Sequence, residues 1–460
     1  MSLTKPIFKP FLQRLATPSD AASLVLLRVS FGLLMLSEVI RFFYYGWVEH
    51  LYARAPFHFK YAGFAWVEAW PGYGMHLHFA TLGILAVLIT LGLFYRVATL
   101  LFFLGYTYIF LVERSLYNNH YYLICLLSFL IALAPLHRSW SLDVLRGAVP
   151  HTDRFPTLWL WLFRLQMGIV YFYGGLAKFD PDWLNGQAPG ALFYTSTRDT
   201  PMQALLQFEW FPLFFGWSGL LFDLLIPFAL LWRRTRLLGL FVALLFHTSN
   251  IFIWTIGIFP FLAFALSLLF LDPDFPRHLL PIQLKSRIND WYHQRLRSPK
   301  LENITLPVKP VLILIGVYVT WQLLMPFRHL LTPGWTSWHQ DGHLFAWRMM
   351  LRNKNTKILF LAQHPETGET RHAPPKEYLT AVQYKQIGRN PDMVLQFAHH
   401  LRDLILTNAG FTPKIFFTLK VAINRRDYVD QVPPDLDLGT VPPFTPAHKW
   451  VIPYPREPAN

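Results

Sequence analysis

Long apolar runs alternate with short polar turns along the first two thirds of the chain, and nine of these runs predict helices immersed in lipid. They cover residues 21–46, 75–94, 97–113, 117–136, 156–177, 211–232, 237–254, 256–271 and 308–327. The seventh and eighth are short, and Gly257 and Pro260 interrupt them, so they also read as one broken helix. No short apolar segment with a small-residue cleavage site precedes the first run, which is therefore expected to direct insertion itself.

After Phe327 the pattern changes. KILFLA and KIFFTLKVAI are short β-branched and aromatic runs that predict strands, and HPETGET between them predicts a turn. PDMVLQFAHHLRDLILT, near 391–407, has apolar residues at helical spacing. The proline-rich tail from Val432 is expected to wrap the domain without regular structure. The expected fold is a mainly α membrane protein. A polytopic bundle of about nine transmembrane helices, residues 1–327, precedes a C-terminal extracytoplasmic α+β domain rich in strands, residues 328–460.

Composition agrees with the pattern. Hydrophobic residues make up 53% of the chain and charged residues 15%, against about 25% in a soluble domain. The net charge is +14, but the basic residues lie mostly in short turns: Lys5, Lys9 and Arg14, then Arg96, then Arg138, Arg146 and Arg154, then Arg233, Arg234 and Arg236, then Lys285, Arg287, Arg295, Arg297 and Lys300. With nine spans and a cytoplasmic N-terminus, all these groups fall on the cytoplasmic side, as positive charge in short loops prefers. The basicity is thus assigned to topology in a multi-pass protein, and no nucleic-acid partner is expected. The one cysteine, Cys125, excludes an intramolecular disulfide, and no metal is expected because His, Cys and acidic residues do not fall at ligand spacing.

Ionisable groups within such runs call for a partner or a role. On this topology three groups approach the outer face. Asn118, Asn119 and His120 begin the fourth run; a helix cap accounts for one asparagine but not for the whole triplet. Lys178 ends the fifth run after Gly174 and Gly175. It reads either as a snorkelling anchor or, shielded from water, as a neutral amine able to act as a base. The glycines allow another helix or a flat ligand to come close. His247 and Asn250, three apart, share a helix face in the seventh run. Elsewhere, Glu38 and Arg41 stand at pairing distance on a helix, and Arg164 and Asp223 are expected to pair across helices, away from the outer group.

Four segments carry a resemblance: SLYNNHYYL, IVYFYGGLAKFDPDWLNG, FHTSNIFIWTIGIFPF and LMPFRHLLTPGWTSWHQDGHLFAWRMML. Together, in this order, they resemble the vitamin K-dependent gamma-glutamyl carboxylases and the wider bacterial family of horizontally transferred transmembrane domains. The resemblance implies a reduced vitamin K, or a related menaquinol, that is deprotonated and reacts with O2. The strong base so formed removes a γ-proton from a glutamate side chain, and the carbanion adds to CO2. It implies that Lys178 is the base acting on the hydroquinone. His120, with Asn119 beside it, would hydrogen-bond the reacting oxygen. Asn118, His247, Asn250, Gly174 and Gly175 would line the quinone site. It also implies a glutamate-containing exported polypeptide as substrate and a quinone reductase as partner, in a bacterial inner or plasma membrane. The single cysteine departs from the disulfide-containing animal members. A quinol epoxidase without protein carboxylation, and a non-catalytic transporter or scaffold, share the same motifs as alternatives.

Overall fold

Each of the nine apolar runs folds as a helix: α1 (Ala22–Tyr44), α2 (Gly74–Leu91), α3 (Tyr95–Val112), α4 (Asn119–Leu133), α5 (Thr157–Leu176), α6 (Trp210–Leu231), α7 (Arg236–Ile253), α8 (Phe259–Ser267) and α9 (Lys309–Leu324). The computed structural model describes residues 8–254, 256–279, 281–296 and 305–455. Lys5, Arg297 and Lys300, used above for orientation, lie outside the described residues.

The nine expected spans are reduced to six by length and apolarity among the described residues: α1, α2, α3, α6, α7, and α9 with its continuation to Leu331. Of the other three, α5 has 20 residues and falls short in apolarity alone, whereas for α4 and α8 the cause lies at the ends of the runs. Asn118 caps α4, accepting from the Tyr121 amide at 2.8 Å, and the helix stops before Pro135, so its 15 residues reach roughly 22 Å. Gly257, with φ of +62°, breaks the chain between α7 and α8, so the broken-helix reading becomes two helices, the second of 9 residues. The apolar faces of the nine helices share one core.

Arginines close one end of this bundle. Buried Arg28 donates to the carbonyls of Leu136, Ser139 and Trp140 at 2.9, 3.1 and 2.5 Å. Arg96 donates to Ala132 and Leu133, the last carbonyls of α4. Arg164 donates to Leu269 and Leu271. Arg277 joins Asp20 to Asp153 across the short pair β1 (Pro18–Asp20) and β2 (Arg154–Pro156). Cations here meet the carbonyl ends of helices, where the helix dipole favours them.

The C-terminal domain sits at the other end. Strands β3 (Lys354–Gln363), β4 (Thr370–His372), β5 (Lys414–Ile423) and β6 (Val429–Asp430) form an antiparallel sheet in the order β4-β3-β5-β6. Ile415, Phe417, Leu419 and Val421 alternate along β5 toward a core shared with helix α10 (Pro391–Ala409), where Phe360 packs between Phe417 and Phe397. The tail contributes Val432, Leu438, Ala447, Trp450 and Val451 to the same core, as its expected wrapping requires.

The loops that follow α1, α3 and α5 hold the domain. Phe59 is fully buried in its core, Gln396 bonds the Lys60 backbone at 2.8 and 3.1 Å, and Gln383 donates to Glu113 at 2.7 Å. Arg426 grips Asp182 at 2.5 and 2.8 Å, and Asn424 adds a third bond at 2.8 Å. Arginine-rich turns and domain therefore occupy opposite ends of the bundle.

Arg28→Met removes the donor that satisfies three carbonyls of the turn after α4. It is expected to cost about 3 kcal/mol of stability, read as a lower midpoint in thermal or detergent unfolding.

Candidate active site

The end of α5 places the lysine. The Lys178 amide bonds the Gly175 carbonyl at 2.9 Å, and Asp180 caps the next short helix, Pro181–Leu184, through the Asp182 amide. The Lys178 side chain turns back into the bundle and is only 6% exposed. Nζ donates to the Gly174 carbonyl at 3.0 Å and to Asp223 Oδ2 at 2.5 Å, and lies 5.3 Å from the centre of the Trp183 ring. This is not the geometry of a snorkelling anchor, whose ammonium would reach water.

Asp223 comes from α6 and is itself 7% exposed. Its expected pairing with Arg164 does not occur: Arg164 satisfies carbonyls at the far end of α8, whereas Asp223 reaches the end of α5. The two carboxylates of the DPDW turn point to the C-terminal domain instead. Asp182 takes Arg426, and Asp180 accepts from the Trp335 indole at 3.1 Å.

The two glycines have separate tasks. A Cβ on Gly175 would stand 2.8 Å from Leu224 Cγ and 3.0 Å from its amide nitrogen, so Gly175 lets α5 and α6 touch. A Cβ on Gly174 would meet Met349 Cε at 3.0 Å and Asp223 Oδ2 at 3.4 Å. Gly174 thus makes room for the Met349 methyl of the segment that crosses over the pair, while the approach to Asp223 is an ordinary contact.

The histidines form an adjoining group. His247, 2% exposed, shares a 2.7 Å hydrogen bond between Nε2 and the Tyr171 hydroxyl, while its buried Nδ1 has no hydrogen-bond partner among the described residues. Phe222, Phe246 and Phe259 surround that ring. His120 stacks on Phe259, with centroids 4.1 Å apart and planes 16° from parallel. Asn119 accepts from the Tyr117 hydroxyl at 3.1 Å, and half-buried Asn250 lies one turn beyond His247. Asn118 is the cap of α4.

Lys178 and His247 are linked through shared helices rather than by a bond. Tyr171 and Gly174 fall on one face of α5, at i and i+3, and Lys178 follows in the turn just beyond the helix end. Phe222 and Asp223 are neighbours on α6, one packed on Tyr171 and the other paired with Lys178. Phe259 separates His120 from His247. Tyr171 was recoverable from helical spacing. Asp223 and Phe259 were not, because nothing local to α6 or α8 says which side chain they face.

A second set of polar groups lies in the segment crossing the bundle end. Phe345, Trp347 and Met350 all have positive φ, between 51° and 60°, a conformation costing a bulky residue roughly 1–2 kcal/mol. Phe345 is held by its amide bond to the Tyr117 hydroxyl at 2.6 Å. Buried nitrogens with no hydrogen-bond partner among the described residues gather here: His343 Nδ1, Trp347 Nε1, and the Nε atoms of Arg114, Arg328 and Arg348. Burial, with the neighbouring guanidinium groups, holds His343 well below the ordinary histidine value and Lys354 well below that of a lysine. Burial and Arg348 push Arg352 down to about 9. Asp180 is the acid that acts on both Arg348 and Arg352. The region is rich in donors and poor in acceptors, which suits an anion bearing several oxygens. Among the described residues no three His, Cys, Asp or Glu side chains gather as a metal-ligand set.

Two family models match the chain. That of the HTTM domain covers residues 16–275, and that described as the lumenal domain of vitamin K-dependent gamma-carboxylase covers residues 308–457. The second match begins at α9, so the last apolar helix is matched together with the domain. No solved structure matches the chain.

Gly175→Val drives α5 from α6 at the level of the ion pair, for about 1–3 kcal/mol and a lower melting temperature. Gly168→Ala, on the same helix with nothing within 4 Å of its added Cβ, does not lower the melting temperature and raises it slightly through helix propensity.

Proposed function

Because the chain belongs to the gamma-carboxylase family of HTTM proteins, we propose that it is an integral membrane enzyme coupling oxygenation of a reduced quinone to carboxylation of glutamate side chains. The observation that carries this reading is His247 Nδ1: a buried nitrogen, unpartnered among the described residues, inside an aromatic enclosure beside the helix that leads into Lys178. A nitrogen so placed can hydrogen-bond a polar oxygen at the edge of a flat ring. Phe222, Phe259, His247 and His120 would hold a reduced vitamin K or menaquinol. When bound, that group supplies reducing equivalents and, with O2, a base strong enough for a carbon acid.

The remaining work falls to the chain. Lys178, as an amine, takes the hydroxyl proton of the quinol. His120 and Asn119 donate or accept hydrogen bonds at the reacting oxygen, where developing charge needs fixed dipoles. The donors at His343, Trp347 and Arg348 receive the carboxylate of the polypeptide's glutamate, near Met349 and therefore near Gly174. The domain and the strained segment keep water from a base and a carbanion that it would quench.

The same reading sets the orientation. Residues 1–327 form the membrane catalytic part, with the arginine-rich end and N-terminus in the cytoplasm. Residues 328–460 face outward, where an exported glutamate-containing polypeptide arrives; a bacterial inner or plasma membrane and a partner quinone reductase complete the setting.

In lipid nanodiscs supplied with reduced quinone, O2, labelled CO2 and a glutamate-containing peptide, the wild type is expected to form epoxide and fix label. Lys178→Ala is expected to lower both by roughly 100-fold or more per folded molecule, with a lower melting temperature because Asp223 is left buried without its partner. Quinol consumption without fixed label identifies a quinol epoxidase instead. Cellular function that survives Lys178→Ala identifies a non-catalytic scaffold.

A further inference from the structure

We propose that Asp223 is the positioning residue of Lys178 and the temporary holder of its proton, an inference that rests on the reading of Lys178 as the quinol base. Asp223 is the sole acid of α6, in an otherwise apolar helix. Its carboxylate meets an ammonium whose other hydrogen-bond acceptor is a backbone carbonyl. Both side chains are more than nine-tenths buried. Desolvating two charges is costly enough that an apolar pair holds helices together as well or better. A mere clamp between α5 and α6, already in contact at Gly175 and Leu224, gains little from this pair.

The pair solves a chemical problem that a solitary lysine does not. A base must present an unprotonated amine, yet Lys178 rests as an ammonium against a carboxylate. Along the 2.5 Å hydrogen bond the proton moves from Nζ to Oδ2, giving an amine and a carboxylic acid with no net change in charge. The amine then takes the hydroxyl proton of the reduced quinone. One O–H bond breaks, one N–H bond forms, and the negative charge stays on the quinol oxygen. The pair ends as ammonium and carboxylic acid, one positive charge facing the new anion. No electrons are transferred in this step, and Asp223 stores the displaced proton until the cycle closes. Gly174 belongs to the same device, since its carbonyl aims Nζ.

The test uses the full chain in nanodiscs as wild type, Asp223→Asn and Asp223→Glu, with melting temperature, quinol turnover and infrared difference spectra on adding quinol. Asp223→Asn is expected to lower kcat roughly 100-fold with KM for quinol changed by less than about threefold, and Asp223→Glu to recover at least roughly a tenth of the wild-type rate. A carboxylic-acid carbonyl band should appear on quinol addition in the wild type and be missing from Asp223→Asn. A wild type that turns over quinol without that band, or an Asp223→Asn protein keeping more than half the rate, overturns the role of Asp223 alone. So does equal loss in both variants that follows their melting temperatures, the mark of a structural clamp. A wild type that turns over no quinol overturns the reading of Lys178 and this inference with it.

Discussion

An ammonium group at the margin of a lipid-facing bundle has to be neutralised, solvated or paired, and the arrangement around Lys178 follows from the choice of pairing. To reach Asp223, α5 and α6 must touch, which requires Gly175 opposite Leu224. To turn Nζ inward, the chain must leave the helix within a residue or two, which the Asp180 cap and Pro181 accomplish. Because the lysine takes its counter-ion from α6, both carboxylates of its own turn are released for the C-terminal domain and its crossing segment. One ion pair therefore connects helix packing, loop shape and domain attachment.

The fold was legible where physics is local. Nine apolar runs became nine helices because a long apolar stretch in lipid has to satisfy its backbone internally. The strands around KILFLA and KIFFTLKVAI and the helix near 391–407 appeared where alternation and helical spacing placed them. Span number was less legible. Whether Asn118 extends a helix or caps it, and whether Gly257 bends one or ends it, depends on a single residue's backbone and not on hydropathy.

The site divides along the same line. Lys178, His120 and His247 stood out because polar groups are rare in apolar runs. Their partners did not. Asp223 was expected to pair with Arg164, and only the register between helices gives it Lys178 instead. The donors around Trp347 and Arg348 were invisible for another reason: their significance lies in lacking acceptors, a property of the packed structure with no signature in residue type.

The grip of Arg426 and Asn424 on Asp182 also has a consequence in time. The residues joined are 244 and 242 apart in sequence, and Asp182 lies four positions beyond Lys178. During synthesis the membrane helices are made long before β5 and the residues after it exist, because the chain grows from its N-terminus. The turn beyond the lysine therefore waits, without these bonds, until nearly the last part of the chain has been made and folded. An unfinished chain contains Lys178 and Asp223 but not the residues that grip the turn beside them, so that turn takes its final form only when the C-terminal domain does.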